Sequence, residues 1–106
     1  MDPALYKVET FTPLVGSQFE LHLEDVRITL RLNEVRTGPS TPRLVQFALT
    51  FRGPLKPPLP QQTYDLRHDL LGEMALFLVP VGEDREGRFY EVVFNRFLDA
   101  PPAPAS

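Results

Sequence analysis

The sequence predicts an all-β domain, an antiparallel barrel or sandwich of six to seven strands, and three observations carry that prediction. Apolar residues recur at every second position through most of the chain, the spacing that sends successive side chains to opposite faces of a strand. No stretch sustains the three-to-four-residue apolar spacing of an amphipathic helix. The 12 prolines are clustered, four between Pro54 and Pro60 and three between Pro101 and Pro104, so they separate strands more than they interrupt them.

Taken in order, Lys7 to Phe11 is a candidate seventh strand, within a strand-like stretch from Leu5 that carries Tyr6, Val8 and Phe11. Phe19, Leu21 and Leu23 alternate with polar residues, as do Val26, Ile28, Leu30 and Leu32, and the intervening Glu24-Asp25 makes a tight hairpin the economical link. At Leu32 to Val35 the alternation slips by one, as a β-bulge requires. The GPSTP segment then breaks the chain, and Val45, Phe47, Leu49 and Phe51 form a third set that stops at Gly53-Pro54. After the Pro-rich connector, Tyr64, Leu66 and His68 form a fourth strand ending near Gly72; one short turn of helix between Tyr64 and Leu76 is the alternative. Gly53 and Gly72 close strands where tolerance of positive φ is useful. Met74 to Val81 is almost wholly apolar, which predicts a central strand covered on both faces, with Pro80 marking a bulge or an edge-facing position. The GEDREG loop reverses the chain into a last strand over Phe89 to Phe97. The expected core is Phe19, Leu21, Ile28, Leu30, Phe47, Leu49, Phe51, Leu76, Phe77, Leu78 and Val79. With 106 residues, 42% of them hydrophobic and 24% charged, one core is expected: a β domain over residues 1–98 and a Pro-rich tail over 99–106.

Charge and residue content exclude several classes of function. Eleven Lys and Arg against 14 Asp and Glu leave a net charge of -3, the wrong sign for binding nucleic acid by phosphate neutralisation, and the core claims the aromatics Phe47, Phe51, Phe77 and Phe94 that stacking on bases would need. No nucleic-acid partner is expected. Without cysteine there is no disulfide, thiolate metal site or cysteine nucleophile. The two histidines, His22 on a polar face and His68 in the apolar phase, lack a metal-ligand spacing, so His22 reads as solvated and His68 as a hydrogen-bonded structural residue. Ser17, in VGSQF, reads as a turn residue outside any nucleophile elbow. Glu83, Asp84 and Glu86 form a solvated hairpin tip without a calcium-loop pattern, and Asp65 with Asp69 offers no better pair. No cofactor is implied. The start MDPALYKVETF lacks a signal's basic flank and apolar run, and the apolar run from Met74 to Val81 is far short of a bilayer span. A cytoplasmic protein without membrane contact is expected.

The blocks LVGSQFEL, FALTFRGP, PQQTYDLRHDLLGEMALFLVPVG and RFYEVVFN resemble the pattern of a bacterial family, the domain of unknown function numbered 6916: Phe-Arg-Gly closing a strand, Tyr-x-Leu-x-His leading to Leu-Gly, Leu-Phe-Leu-Val-Pro, then Tyr-Glu-x-x-Phe-Asn. The resemblance covers about residues 11 to 97 and departs at Gln62-Thr63, where members often carry Gln-Gly. It implies a small β domain without enzymatic activity, some members being encoded near phage-tail-collar-like proteins, and hence a component or accessory of a phage-tail-like apparatus that could enter an exported particle. Within the blocks, Arg52, Tyr64, His68 and Asn95 stand out as a candidate polar cluster or pocket. Two functions are expected from these features. The first is a non-enzymatic structural or assembly module that joins a protein partner or a homo-oligomer, its N-terminal strand capping an edge of its own sheet or extending a neighbour's. The second is a barrel binding a small ligand in a pocket oriented by Arg52 and His68, and a hydrolase using His68 with a carboxylate stands a distant third.

Overall fold

Alternation in the sequence becomes alternation in burial. Along β1 (Gln18–Leu23) Phe19 and Leu21 are buried between more exposed neighbours, and along β2 (Val26–Thr37) Ile28, Leu30 and Leu32 repeat the pattern. The same phase runs through β3 (Leu44–Gly53) with Phe47, Leu49 and Phe51, and through β4 (Gln62–His68) with Tyr64, Leu66 and His68. It continues through β5 (Gly72–Glu83) with Met74, Leu76 and Leu78, and β6 (Arg88–Phe97) with Tyr90 and Val92. The computed structural model describes residues 7–38 and 44–97; the tail over 99–106, the GPSTP segment beyond Gly38 and the chain before Lys7 lie outside them. Each buried Leu, Phe or Met side chain stabilises the fold by about 1.5–3 kcal/mol relative to exposure.

The six strands close into an antiparallel barrel in the order β1-β2-β3-β6-β5-β4. Closure is achieved by two strands that change partners midway. β2 pairs with β1 over Val26 to Arg31 and with β3 over Arg31 to Thr37, and its register shifts between Leu32 and Glu34, where the alternation slips in the sequence. β5 pairs with β4 over Gly72 to Leu78 and with β6 over Val79 to Glu83, with a register shift between Pro80 and Gly82. A bulge bends a strand and increases its twist, so these two positions help the sheet curve round on itself, and of the two expected architectures the barrel is the one formed. The β1–β4 seam is the shortest, with only Glu20 opposite Arg67 and Leu21 opposite Leu66.

The hairpin between β1 and β2 turns through Glu24 and Asp25, with Glu24 at φ 44°, the left-handed conformation that a two-residue hairpin loop demands. Gly72 opens β5 at φ 76°, as its place near a strand end suggests. Gly53 has a different reason. A Cβ there would lie 2.5 Å from Leu30 Cδ2, so the residue is small because β2 packs against it.

Two features depart from the sequence reading. Val8–Phe11 forms one turn of α-helix, α1, followed by a 3₁₀ turn over Thr12–Leu14, where a seventh strand was expected. A strand there would need a free edge, and the closed barrel gives its strands neighbours on both sides. The segment instead lies across one end of the barrel. Phe11 is fully buried, its ring 5.7 Å from Phe94 and 6.2 Å from Phe47, and Leu14 is buried beside it. At the opposite end the connector between β3 and β4 crosses the barrel and inserts Leu59, whose backbone N–H donates to the Tyr90 hydroxyl at 3.1 Å. The barrel is thus plugged at both ends by segments that lie outside its strands.

The second departure is β5. Its apolar run predicts cover on both faces, yet Phe77 is 47% exposed and Val81 54% exposed, while Val79 is half-buried. Phe77 and Val79 therefore leave the core list. The barrel wall is one layer thick, so residues that point outward from β5 meet solvent however apolar they are. The segment from Tyr64 to Leu76 holds strands β4 and β5 and a short turn, without helix.

Candidate functional site

The four polar residues singled out by sequence do not form one cluster. Arg52, on the outside of β3, reaches the β5–β6 loop. Tyr64 is buried near the Leu59 plug, and its hydroxyl donates to the Pro60 carbonyl at 2.6 Å. Burial, and secondarily Tyr90, push this hydroxyl above its ordinary titration range, which keeps it a donor. His68 is buried at the other end, where β4 turns towards β5. Asn95 is exposed on β6, opposite Gln46. Alternation puts Tyr64 and His68 inside and Arg52 and Asn95 outside, so the wall of the barrel separates them in pairs.

His68 and Ser17 do meet, although no spacing in the sequence links them. His68 Nε2 lies 3.0 Å from Ser17 Oγ, an arrangement that in other settings activates a serine. Here the bonding runs the other way. The Leu70 backbone N–H donates to His68 Nδ1 at 3.0 Å, so Nδ1 carries the lone pair and the ring proton of the neutral imidazole sits on Nε2. Nε2 therefore donates to Ser17 Oγ, and the serine hydroxyl donates onward to the Leu14 carbonyl. A general base must offer its lone pair to the hydroxyl it deprotonates; this one offers a proton. The relay instead ties the plug to β4, with the His68 ring packed 4.5 Å from that of Phe19. Replacing His68 by Gln should lower stability by about 1–3 kcal/mol, the cost of leaving buried groups unsatisfied, with partner binding retained. Unchanged urea unfolding together with lost binding would contradict the structural assignment.

Arg52 holds the β5–β6 hairpin shut. Its Nη2 donates to both Asp84 carboxylate oxygens, at 3.1 and 3.2 Å, and to Glu86 at 3.2 Å, while its guanidinium carbon lies 5.4 Å from the Phe89 ring centre. Asp84 also caps the loop from within, accepting the backbone N–H of Glu86 and of Gly87. The Glu86 N–H bond, with help from Gly87 and Arg52, holds the Asp84 carboxyl below its ordinary value. A lowered folded value means that Asp84 stabilises the loop fully above the unfolded carboxylate range, about pH 4, and that this support is lost as pH falls through the lowered value. Asp84→Asn should therefore flatten the acid limb of the stability profile near that range, measured by thermal melting against pH. The loop approaches β3 closely, since a Cβ on Gly87 would meet the Gly53 carbonyl oxygen at 2.5 Å.

Charged residues stand on both sides of the outer surface. Outside β1, the first half of β2 and β4 stand Glu20, His22, Arg27, Arg31, Asp65 and Arg67. His22 Nε2 and Glu20 are 2.9 Å apart, and that bond chiefly, then Arg27, lowers the Glu20 carboxyl. Outside β3 and β6 stand Gln46, Ala48, Thr50, Arg52, Phe89, Glu91, Val93 and Asn95, with exposed Glu34 of β2 opposite Thr50. There Arg36 and Glu91 form an ion pair of 2.9 Å, and an open groove of about 270 Å³ runs between Arg36, Gln46, Ala48, Val93 and Asn95. A wider cleft of about 680 Å³ lies outside the barrel between the Pro-rich connector, Glu83 and Arg88. Of the outward apolar residues, Phe77 and Val79 of β5 are the ones that the sequence reading assigned to the core, while Val93 of β6 was outside that list. The out-of-phase position of Phe77 and Val79 was the available signal.

Among the described residues no group of three or more His, Cys, Asp or Glu is placed to hold a metal ion, and no helix is long and apolar enough to cross a membrane. Comparison with curated proteins and with solved structures returns no match. A family model does match, over residues 6–94, and spans β1 to β5 and most of β6. With these blocks set in a plugged six-stranded barrel, the chain belongs to the family described as domain of unknown function (DUF6916).

Proposed function

We propose that this domain is a non-enzymatic structural or assembly module that works through its outer surface. The observation that carries this reading is the use to which the buried polar groups are put. Tyr64, Tyr90, His68 and Ser17 each bond a plug or connector to the barrel, and apolar side chains fill the interior. What is left for recognition is the outside, where Phe77, Val81 and Val93 are exposed among charged side chains. The resemblance noted in the sequence supports a finer setting, a bacterial protein made in the cytoplasm as a component or accessory of a phage-tail-like apparatus, with incorporation into an exported particle.

The test is native mass measurement of the full chain co-purified from its source cell. A stoichiometric protein partner or a defined multimer is the expected result. A bound small molecule with no added protein mass would favour the second reading, a ligand-binding barrel. That reading expects an interior pocket oriented by Arg52 and His68, but the two lie on opposite sides of the wall and apolar side chains fill the interior; it would have to use the outer cleft of about 680 Å³ under the connector, within the usual range of about 300–1,000 Å³ for ligand pockets.

A further inference from the structure

The Pro-rich connector does more than carry Leu59 into the end of the barrel. Its Leu55, Pro57 and Pro58 form the apolar lining of the cleft of about 680 Å³, and Lys56, Glu83 and Arg88 supply the charged lining. Arg88 is the unexpected member. It takes the inward phase of β6, in step with buried Tyr90 and Val92, so its side chain stands at the connector end of the barrel and is 30% exposed. Its Nε donates to the Leu55 carbonyl at 2.9 Å, and Nη1 lies 2.6 Å from the Glu83 carboxylate. A guanidinium has more N–H donors than these two contacts use, and Nη2 has no described partner.

We infer that this cleft binds a small organic acid, its apolar body packed against the prolines and its anionic head held by Arg88 and Lys56. The inference goes beyond the assembly reading and gives a ligand class to the cleft. Charge is the first argument. On a chain of net charge -3, the lining sets Lys56 and Arg88 against the single carboxylate of Glu83, and Glu83 is already taken by Arg88. Lys56 is exposed and joins no ion pair among the described residues. In the neighbouring hairpin tip, Asp84 and Glu86 are turned to Arg52. The chemistry of the wall is the second argument. Proline has no N–H, so the Leu55, Pro57 and Pro58 side offers C–H surface to an apolar body, while the donors are those of Arg88 and Lys56. Both of these residues donate without accepting, which selects an acceptor with negative charge. Rigidity is the third. The connector is pinned where Arg88 holds the Leu55 carbonyl, the Tyr90 hydroxyl accepts the Leu59 N–H, and the Tyr64 hydroxyl donates to the Pro60 carbonyl. A wall fixed before the ligand arrives loses little freedom on binding.

The full chain is titrated with anilinonaphthalene sulfonate and, as the neutral match, with phenylnaphthylamine, which has the same rings without the acid group; fluorescence reads the binding of each. The sulfonate should saturate one site and bind about tenfold tighter than the neutral probe or better, the factor that one hydrogen bond to a charged group supplies. Lys56→Glu should remove that advantage and leave the neutral probe unchanged. Leu55→Ser should weaken both probes, and Glu83→Gln, which frees Arg88, should tighten the sulfonate a few-fold. Phe77→Ser and Val93→Ser, exposed elsewhere on the barrel, are controls that should change neither. Circular dichroism melting checks that each variant is folded. A wild type that binds neither probe, or binds both equally, overturns the inference, as does sulfonate binding that survives Lys56→Glu and Leu55→Ser but is lost in either control. The assembly reading is judged separately by co-purification. A domain that captures a partner and binds no probe defeats the ligand site alone, and one that binds the sulfonate and captures no protein defeats the assembly reading alone.

Discussion

Replacing Phe51 by alanine should cost about 3–5 kcal/mol of unfolding free energy, the range for deleting a large aromatic side chain from a packed interior. Phe51 is fully buried and meets Phe19 edge-on with ring centres 5.0 Å apart, a geometry that favours aromatic pairs beyond their buried area. Phe19 in turn packs on the His68 ring, so the loss spreads from β3 through the pair to the relay that holds the N-terminal plug. Phe77→Ala, by contrast, should cost about 1 kcal/mol or less, since its side chain is half in solvent and surface changes usually have small effects. Urea unfolding of the two variants beside the parent checks both statements at once. Equal losses would mean that β5 is covered on its outer face in solution, as its apolar run suggests.

Phe11→Ala should be nearly as damaging, about 3–5 kcal/mol, although the residue lies outside every strand. Its ring contacts Phe94 and Phe47, and Phe47 and Phe94 stack with centres 4.6 Å apart. Removing Phe11 would open the end of the barrel where these two rings meet. Lys7→Ala, exposed in the same segment, should leave stability unchanged within about 0.5 kcal/mol, as surface substitutions do. Thermal melting of the two variants distinguishes a plug from a loosely attached leader. If Phe11→Ala melts with the parent, the segment contributes nothing to the barrel.

Much of this architecture is legible in the order of residues because strand structure is encoded locally. A side chain's face depends on whether its position is odd or even within the strand, so Phe19, Leu21, Ile28, Leu30, Phe47, Leu49 and Phe51 can be assigned to the interior from spacing alone. A slip in that spacing at Leu32 to Val35 marks a bulge because an inserted residue reverses the parity. The same logic predicts burial of His68, and the cluster of prolines predicts where a connector leaves the sheets.

The remaining features depend on contacts between residues distant in sequence. Whether Met74 to Val81 is covered on one face or two depends on how many layers the fold has, and closure into a single-walled barrel settles that after every strand is paired. Whether Val8 to Phe11 is strand or helix depends on whether an edge remains to be paired. Closure removes the edge and leaves the barrel end, which a single helical turn fills better than an extended chain. The cluster of Arg52, Tyr64, His68 and Asn95 fails for a related reason: the parity that places Tyr64 and His68 inside places Arg52 and Asn95 outside, and closure turns that difference into opposite sides of a wall. Ser17 and His68 lie 51 residues apart, and only the meeting of the N-terminal plug with the end of β4 brings them into a hydrogen bond. By itself the sequence determined the strands, their inward faces and the bulge, because those follow from period and parity. Only the tertiary structure decided the plugs, the exposed face and the proton's place on His68, because each depends on which distant groups come within reach once the sheet closes.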